Sequence, residues 1–236
     1  MEKIIHRAEE RGHADHGWLN TYYSFSFASY QNPEKMNFGL LRVINDDIIA
    51  AGGGFDTHPH KNMEIITIPL QGALEHKDNT GGGGVIRAGD IQVMSAGSGI
   101  LHSEFNPSED EPVNLLQIWI FPKNQNISPR YDQRRFDPDE FTGKFRTVVS
   151  PLPGKGHLWI NQDAYISLAK TKEESELVYQ INKVGNGVYL FLIEGEMSTA
   201  NEELNKRDAI GLYDVNNINL GLSEGAHVLA IEVPME

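Results

Sequence analysis

The residues best suited to chemistry stand in two short clusters, His58-Pro59-His60 and His102-Ser103-Glu104. Imidazole nitrogens and carboxylate oxygens are ligands that divalent transition metals accept. Each cluster spaces its donors two residues apart, and in a strand residues i and i+2 face the same way. The neighbouring segments read as strands: residues 64–68 follow the first cluster and residues 91–94 precede the second. Laid side by side and facing inward, they bring His58, His60, His102 and Glu104 to one point. A lone His pair serves many other ends. The two clusters together, with glycine-rich turns between them, specify a metal site. The expectation is one divalent transition metal per chain, iron first, with copper, nickel, cobalt, manganese or zinc as alternatives. Four protein ligands leave one or two positions open on a five- or six-coordinate ion.

The elements that must position these donors are short strands. Residues 38–44 and 48–51 read as strands around a turn at Asn45-Asp46-Asp47. Gly52-Gly53-Gly54 lets the backbone bend before the His pair. Pro59 cannot donate to a ladder, which predicts an edge strand or a bulge. The glycines at 81–84 read as a hairpin tip, since neither Gly-Lys-Ser/Thr nor a helical pattern follows to make a phosphate loop. Residues 113–121 form a strongly apolar run that closes the first barrel. Upstream, Ser24 to Phe27 alternates polar and aromatic as a half-buried strand does, and its aromatics fill core or wall a pocket.

Residues 122–139 are rich in Pro, Asn, Gln, Arg and Asp, as in a linker. Beyond them 158–160, 164–169 and 176–181 read as strands. The second half also repeats the first. Residues 68–74 parallel 191–197, Gly89-Asp90 parallels Arg207-Asp208, and 115–122 parallels 228–234. Two copies of one β-unit explain this. The prediction is an all-β tandem of two barrels with little helix. Residues 1–128 form the metal-binding barrel, 129–140 a linker, and 141–236 a degenerate barrel without metal, because no His-x-His precedes Ile193-Glu194-Gly195.

Bulk properties narrow the function classes. The chain has 236 residues and no cysteine, so disulfides, thiolate ligands, iron–sulfur clusters and a Cys nucleophile are excluded. Its first residues lack a signal-peptide core and no apolar run approaches a membrane span, so a cytoplasmic protein without membrane contact is expected. A formal net charge of −13 lacks the basic footprint of a direct nucleic-acid binder. His6, His13 and His16 share no spacing that would aim them together and read as part of an edge or mobile segment. There is no Gly-x-Ser-x-Gly elbow and no dinucleotide fingerprint with its acidic partner.

The motif spacing resembles that of cupins. Gly52, His58, His60, Glu64 and Gly72 match the first cupin motif, and Gly89, Gly97, Gly99, His102 and Asn106 the second. Seven residues rather than six separate Glu64 from Gly72, and Ser95 stands where cupins often carry proline. The wording Thr57-His58-Pro59-His60-Lys61-Asn62-Met63-Glu64, Met94 through Glu104, and Leu116-Gln117-Ile118-Trp119 is similar to the pirin family, over nearly the whole chain. The resemblance implies that Glu104 is the carboxylate ligand, with Glu64 and Asn106 beside the site. The residues alone leave open the converse, Glu64 on the metal and Glu104 behind it. The resemblance further implies a quercetin 2,3-dioxygenase type of reaction, in which a flavonol-like substrate is opened by O2 and carbon monoxide is released. There Glu104 would take the proton of the flavonol hydroxyl. The alternative it implies is a non-enzymatic, metal- or redox-responsive regulator that binds a protein partner.

Overall fold

The computed structural model describes residues 1–154 and 156–236. Short alternations of β-branched, aromatic and polar residues favour strands over helices, and strands make up most of it. The first half holds β1 (Glu2–His6), β2 (Gly12–Asp15), β3 (Leu19–Tyr23), β4 (Leu41–Ile49), β5 (Gly54–His60), β6 (Glu64–Gln71), β7 (Ala73–Asp78), β8 (Gly83–Arg87), β9 (Asp90–Ser95), β10 (Ile100–Phe105), β11 (Val113–Ile120) and β12 (Arg130–Arg135). The second holds β13 (Arg146–Ser150), β14 (Leu158–Trp159), β15 (Tyr165–Lys170), β16 (Ser175–Gln180), β17 (Asn186–Glu194), β18 (Glu196–Thr199), β19 (Glu202–Asn205), β20 (Ala209–Tyr213), β21 (Asn217–Leu222) and β22 (His227–Pro234). Helix among the described residues amounts to two single turns, Ala8–Glu10 and Pro138–Phe141. No helix there is long and apolar enough to cross a membrane.

Each half pairs a seven-stranded sheet with a four-stranded one. The large sheets run β12-β9-β6-β11-β4-β3-β2 and β1-β20-β17-β22-β15-β13-β14; the small ones run β5-β10-β7-β8 and β16-β21-β18-β19. The expected tandem cupin architecture is present, but its units are jelly rolls of two facing sheets, not hydrogen-bonded closed rings.

The two large sheets pack against each other. Ile66, Ile68, Leu116 and Ile118 from the first meet Tyr189, Phe191, Leu229 and Ile231 from the second in one core. Their neighbours along the strands turn inward: Val188, Leu190 and Leu192 fill the second jelly roll, and Ile65 packs with Met94, Ala96 and Ile100 inside the first. Strands buried on both faces read as unbroken apolar runs, as residues 188–193 do. The internal repeat is visible in detail. Gly89 (φ 94°) and Arg207 (φ 71°) both adopt left-handed backbone. The following aspartates then cap the turn: Asp90 accepts from the Arg87 amide at 2.9 Å and Asp208 from the Asn205 amide at 3.0 Å.

Four segments differ from the sequence expectation. Ser24 to Phe27 forms no strand beyond an isolated bridge of Phe27 to Tyr30, although Phe25 is buried in the core. Asn45-Asp46-Asp47 form no turn but lie inside β4, paired with β3 and β11. Their polarity serves tertiary partners instead. Asp46 meets Arg11 at 3.2 Å and Arg207 of the second half at 3.3 Å. Part of the stretch read as linker is β12, which adds to β9 at the edge of the first large sheet. At the other end, β1 pairs with β20 of the second half, and His6 reaches the Tyr189 hydroxyl at 2.8 Å.

Glu64 spans the interface between halves. It is fully buried, and its Oε2 accepts from Ser95 Oγ at 2.7 Å and from the Asn161 amide at 3.1 Å, while its Oε1 has no partner. Burial pushes its carboxyl up to about 7, against the pull of those hydrogen bonds and of Arg130. A folded-state pKa above the unfolded value contributes stability that is complete below the unfolded pKa and lost as pH rises through the folded one. Stability should therefore fall between about pH 4.5 and pH 7 by on the order of 3 kcal/mol from this group. Glu64→Gln, followed by urea unfolding across that range, should flatten the slope; an unchanged pH dependence would show that Glu64 is ionised in the folded protein.

Candidate metal centre

The small sheet of the first half builds the site by register. β10 lies between β5 and β7, and His102 is directly opposite His58 on one side and Asp78 on the other. Glu104 is opposite His76. Directly paired residues share a face, and so do residues two apart on a strand. One face therefore carries His58, His60, His102, Glu104, His76 and Asp78. Between His102 and Glu104 the β5 register slips, so that Asp56 and Thr57 oppose Ser103 alone. This bulge, on an edge strand that contains Pro59, re-aims the His pair.

His58, His60 and His102 each offer a nitrogen within 4.8 Å of the others. The closest approach is His58 Nε2 to His102 Nε2, at 3.0 Å. His58 Nδ1 donates to the Asp56 carbonyl at 2.7 Å, which leaves its Nε2 bare. Burial lowers the His102 pKa to about 4, and burial followed by the nearby His58 does the same for His60. Both rings are neutral at physiological pH with lone pairs free for a cation. If His102 also turns a bare Nε2 to that of His58, the two nitrogens repel across 3.0 Å, and an ion between them would remove the repulsion. The donor set fits a divalent transition metal.

Glu104 lies beside this trio and is almost fully buried. Its carboxylate accepts from Gln117 Nε2 at 3.1 Å, and Gln117 Oε1 in turn accepts from Thr67 Oγ1 at 3.0 Å. Burial pushes the Glu104 carboxyl up, but the neighbouring His76 and His102 rings and the Gln117 amide outweigh it and hold the group below its ordinary value. Glu104 is thus an anion at neutral pH. A second donor group, His76, His102 and Glu104, also lies within 4.8 Å. Both groups found among the described residues are in the first half; His157 and His227 belong to neither.

The donors open onto a cavity of about 470 Å³ walled by Trp18, Phe27, Phe55, Ile65 and Trp119. Trp119 meets the His60 ring edge-on at 4.9 Å. Asn45, Asp47 and Gln117 add polar groups to the lining. Burial raises the Asp47 carboxyl to about 7, with help from the charges of Asp46 and Glu104. A volume and lining of this kind suit a small molecule.

The remaining expected residues lie elsewhere. Glu64 points to Ser95 and Asn161 at the interface. Asn106 uses its amide to donate to the carbonyls of Ile49, Ala50 and Glu111 and clamps the loop after β10. His76, Asp78 and Gln117 escape the two-cluster pattern. A signal for the first two exists in the alternation Leu74, His76, Asp78 against Glu75, Lys77, which sets a third polar pair on the inner face of a strand.

The pirin family model matches residues 5–120, and that of the quercetinase C-terminal cupin domain matches residues 147–233. Quercetin 2,3-dioxygenase of Escherichia coli K12 is 42% identical over 230 residues, covering 98% of each chain. A pirin-like protein of Caulobacter vibrioides is 41% identical over 95% of this chain and 96% of its own. The crystal structure of the bacterial pirin YhhW from Escherichia coli in complex with nickel(II) superposes with a TM-score of 0.92 at 40% identity, covering 99% of each chain.

Titration with nickel(II) should saturate at one equivalent per chain. His58→Ala or His102→Ala should abolish that stoichiometric binding, read by calorimetry and metal analysis. A full equivalent retained by the double variant would remove these two residues from the centre.

Proposed function

The chain belongs to the pirin family, and from that premise we propose that it is a metal-dependent dioxygenase of the quercetin 2,3-dioxygenase type. Its substrate is a flavonol-like molecule, cleaved with O2 and with release of carbon monoxide. The observation that carries the proposal is a trio of imidazoles beside a buried carboxylate, at the base of an aromatic-walled cavity. His58, His60, His102 and Glu104 are assigned as ligands of one divalent transition metal. When bound, such an ion supplies Lewis acidity toward vicinal oxygens; a flavonol offers a hydroxyl beside a carbonyl.

The chain's own residues do the rest. Glu104 accepts the proton of the flavonol hydroxyl, and Gln117 keeps the carboxylate aimed by donating to it. Trp18, Phe27, Phe55 and Trp119 hold the flat rings and keep bulk water from the reacting atoms. The second half serves as scaffold: it offers no such donor group among the described residues, and it backs the large sheet of the first half.

Glu104→Gln keeps the size of the side chain and removes its charge and basicity. Turnover of a flavonol by the metal-loaded variant should fall by about 10²–10⁴-fold, the usual worth of a general base. Oxygen uptake and carbon monoxide release are the measurements. Glu64→Gln, away from the cavity, should leave both near wild type. No oxygen uptake with any flavonol by metal-loaded wild type, together with a protein partner whose affinity follows the oxidation state of the metal, would replace the enzyme with a regulator.

A further inference from the structure

His76 is completely buried, stacks on Tyr131 at 4.7 Å between ring centroids, and has no role in the chemistry described so far. With one proton on each ring, its contacts permit one consistent assignment of protons. Asp78 Oδ1 accepts from the Thr80 amide at 2.8 Å, the Thr80 hydroxyl at 2.7 Å and the Gly82 amide at 2.9 Å. Three donors on one oxygen hold the carboxylate rigidly and leave Oδ2 facing His76 Nε2 at 3.2 Å. A carboxylate can only accept, so the His76 proton sits on Nε2. His76 Nδ1 is then a lone pair, and it lies 3.3 Å from His102 Nδ1. His102 must supply the proton for that contact. With its proton on Nδ1, His102 has a bare Nε2, and this is the atom that faces His58 Nε2 at 3.0 Å. Glu104 Oε1, 4.0 Å from His76 Nδ1, is too far away to compete for a hydrogen bond.

We infer that Asp78 and His76 form a hydrogen-bonded relay that fixes the tautomer of His102 and so leaves its Nε2 free for the metal. The relay rests on the proposed metal centre and adds two positioning residues to it. His58 reaches the same state by a shorter route, through the Asp56 carbonyl. Ligating histidines generally need such a partner on their second nitrogen, and its loss weakens metal binding about 10–100-fold.

Asp78→Asn tests the relay because the turn dictates how the amide must lie. The three donors from Thr80 and Gly82 keep the Asn oxygen at the Oδ1 position, so the amide nitrogen faces His76 Nε2. His76 must then carry its proton on Nδ1, which drives the His102 proton to Nε2, where it blocks a metal. The turn bonds survive, so the fold should too. Nickel(II) titration of the full chain should give one equivalent for wild type, with affinity about 10–100-fold lower for Asp78→Asn and for His76→Phe. In the His76→Phe background, Asp78→Asn should cost less than about twofold more, because Asp78 acts only through His76. Nitrogen-15 NMR of the metal-free protein should find His102 protonated on Nδ1 in wild type and on Nε2 in Asp78→Asn.

The relay is overturned by an Asp78→Asn affinity within about twofold of wild type, or by an equal loss in the His76→Phe background. It is also overturned by X-ray absorption that finds one imidazole fewer on nickel in His76→Phe, which would make His76 a ligand. A wild type that takes up no nickel defeats the metal centre instead. The NMR tautomer still decides the relay in that case.

Discussion

Everything at the candidate site depends on one constraint, the hydrogen-bonded register of β10 between β5 and β7. Strand pairing has a period of two, so a slip by one residue would turn His102 and Glu104 out to solvent and bring Ser103 inward. The register is held from both sides. Asn106 clamps the end of β10 to the loops after β4 and before β11. At the other end, the Asn79 side chain accepts from the Leu101 amide at 3.0 Å. Burial of Ile100 in the core beneath it adds about 1.5–3 kcal/mol against any slip.

That small sheet is itself thin and has to be stiffened from behind. The stiffness comes from the large sheets, which are buried on both faces and share one apolar core across the interface. The two halves are also joined by polar contacts that would be costly to break. The Asp46 carboxylate sits between Arg11 and Arg207 with little exposure of any of the three, and removal of one partner from such a buried group typically costs about 3–5 kcal/mol. The repeat has thus diverged in a physical sense. The first half keeps polar groups on its inner faces, where Asn45, Asp47, Glu104 and Gln117 surround a cavity. The inner faces of the second half are filled with Leu190, Leu204, Leu220 and their neighbours.

Much of this was legible in the sequence. His58, His60, His102 and Glu104 could be grouped because spacing of two within a strand needs no knowledge of which strand lies alongside. The tandem β architecture was legible for a similar reason, since the repeat compares the chain with itself. His76 was not, because its part arises only when β7 falls beside β10. The Asn45-Asp46-Asp47 stretch misleads because Asn and Asp are turn formers by local chemistry, whereas here Arg207, far along the chain, supplies the partner. β12 was hidden by its composition: Arg130-Tyr131-Asp132-Gln133-Arg134-Arg135 is polar enough for a loop, and edge position tolerates that.

The pairing of β1 with β20 bears on the order in which the molecule assembles. Glu2 pairs with Tyr213 and His6 with Ala209, so a strand made early must wait for one made late before it finds its ladder. Contacts of such long sequence separation slow folding. Until they form, the nascent chain carries an unpaired strand and β20 lacks its cover. Once made, the ladder staples the start of the chain to its final sheet. The metal-bearing half cannot be cut away at the midpoint without stripping an edge from the other.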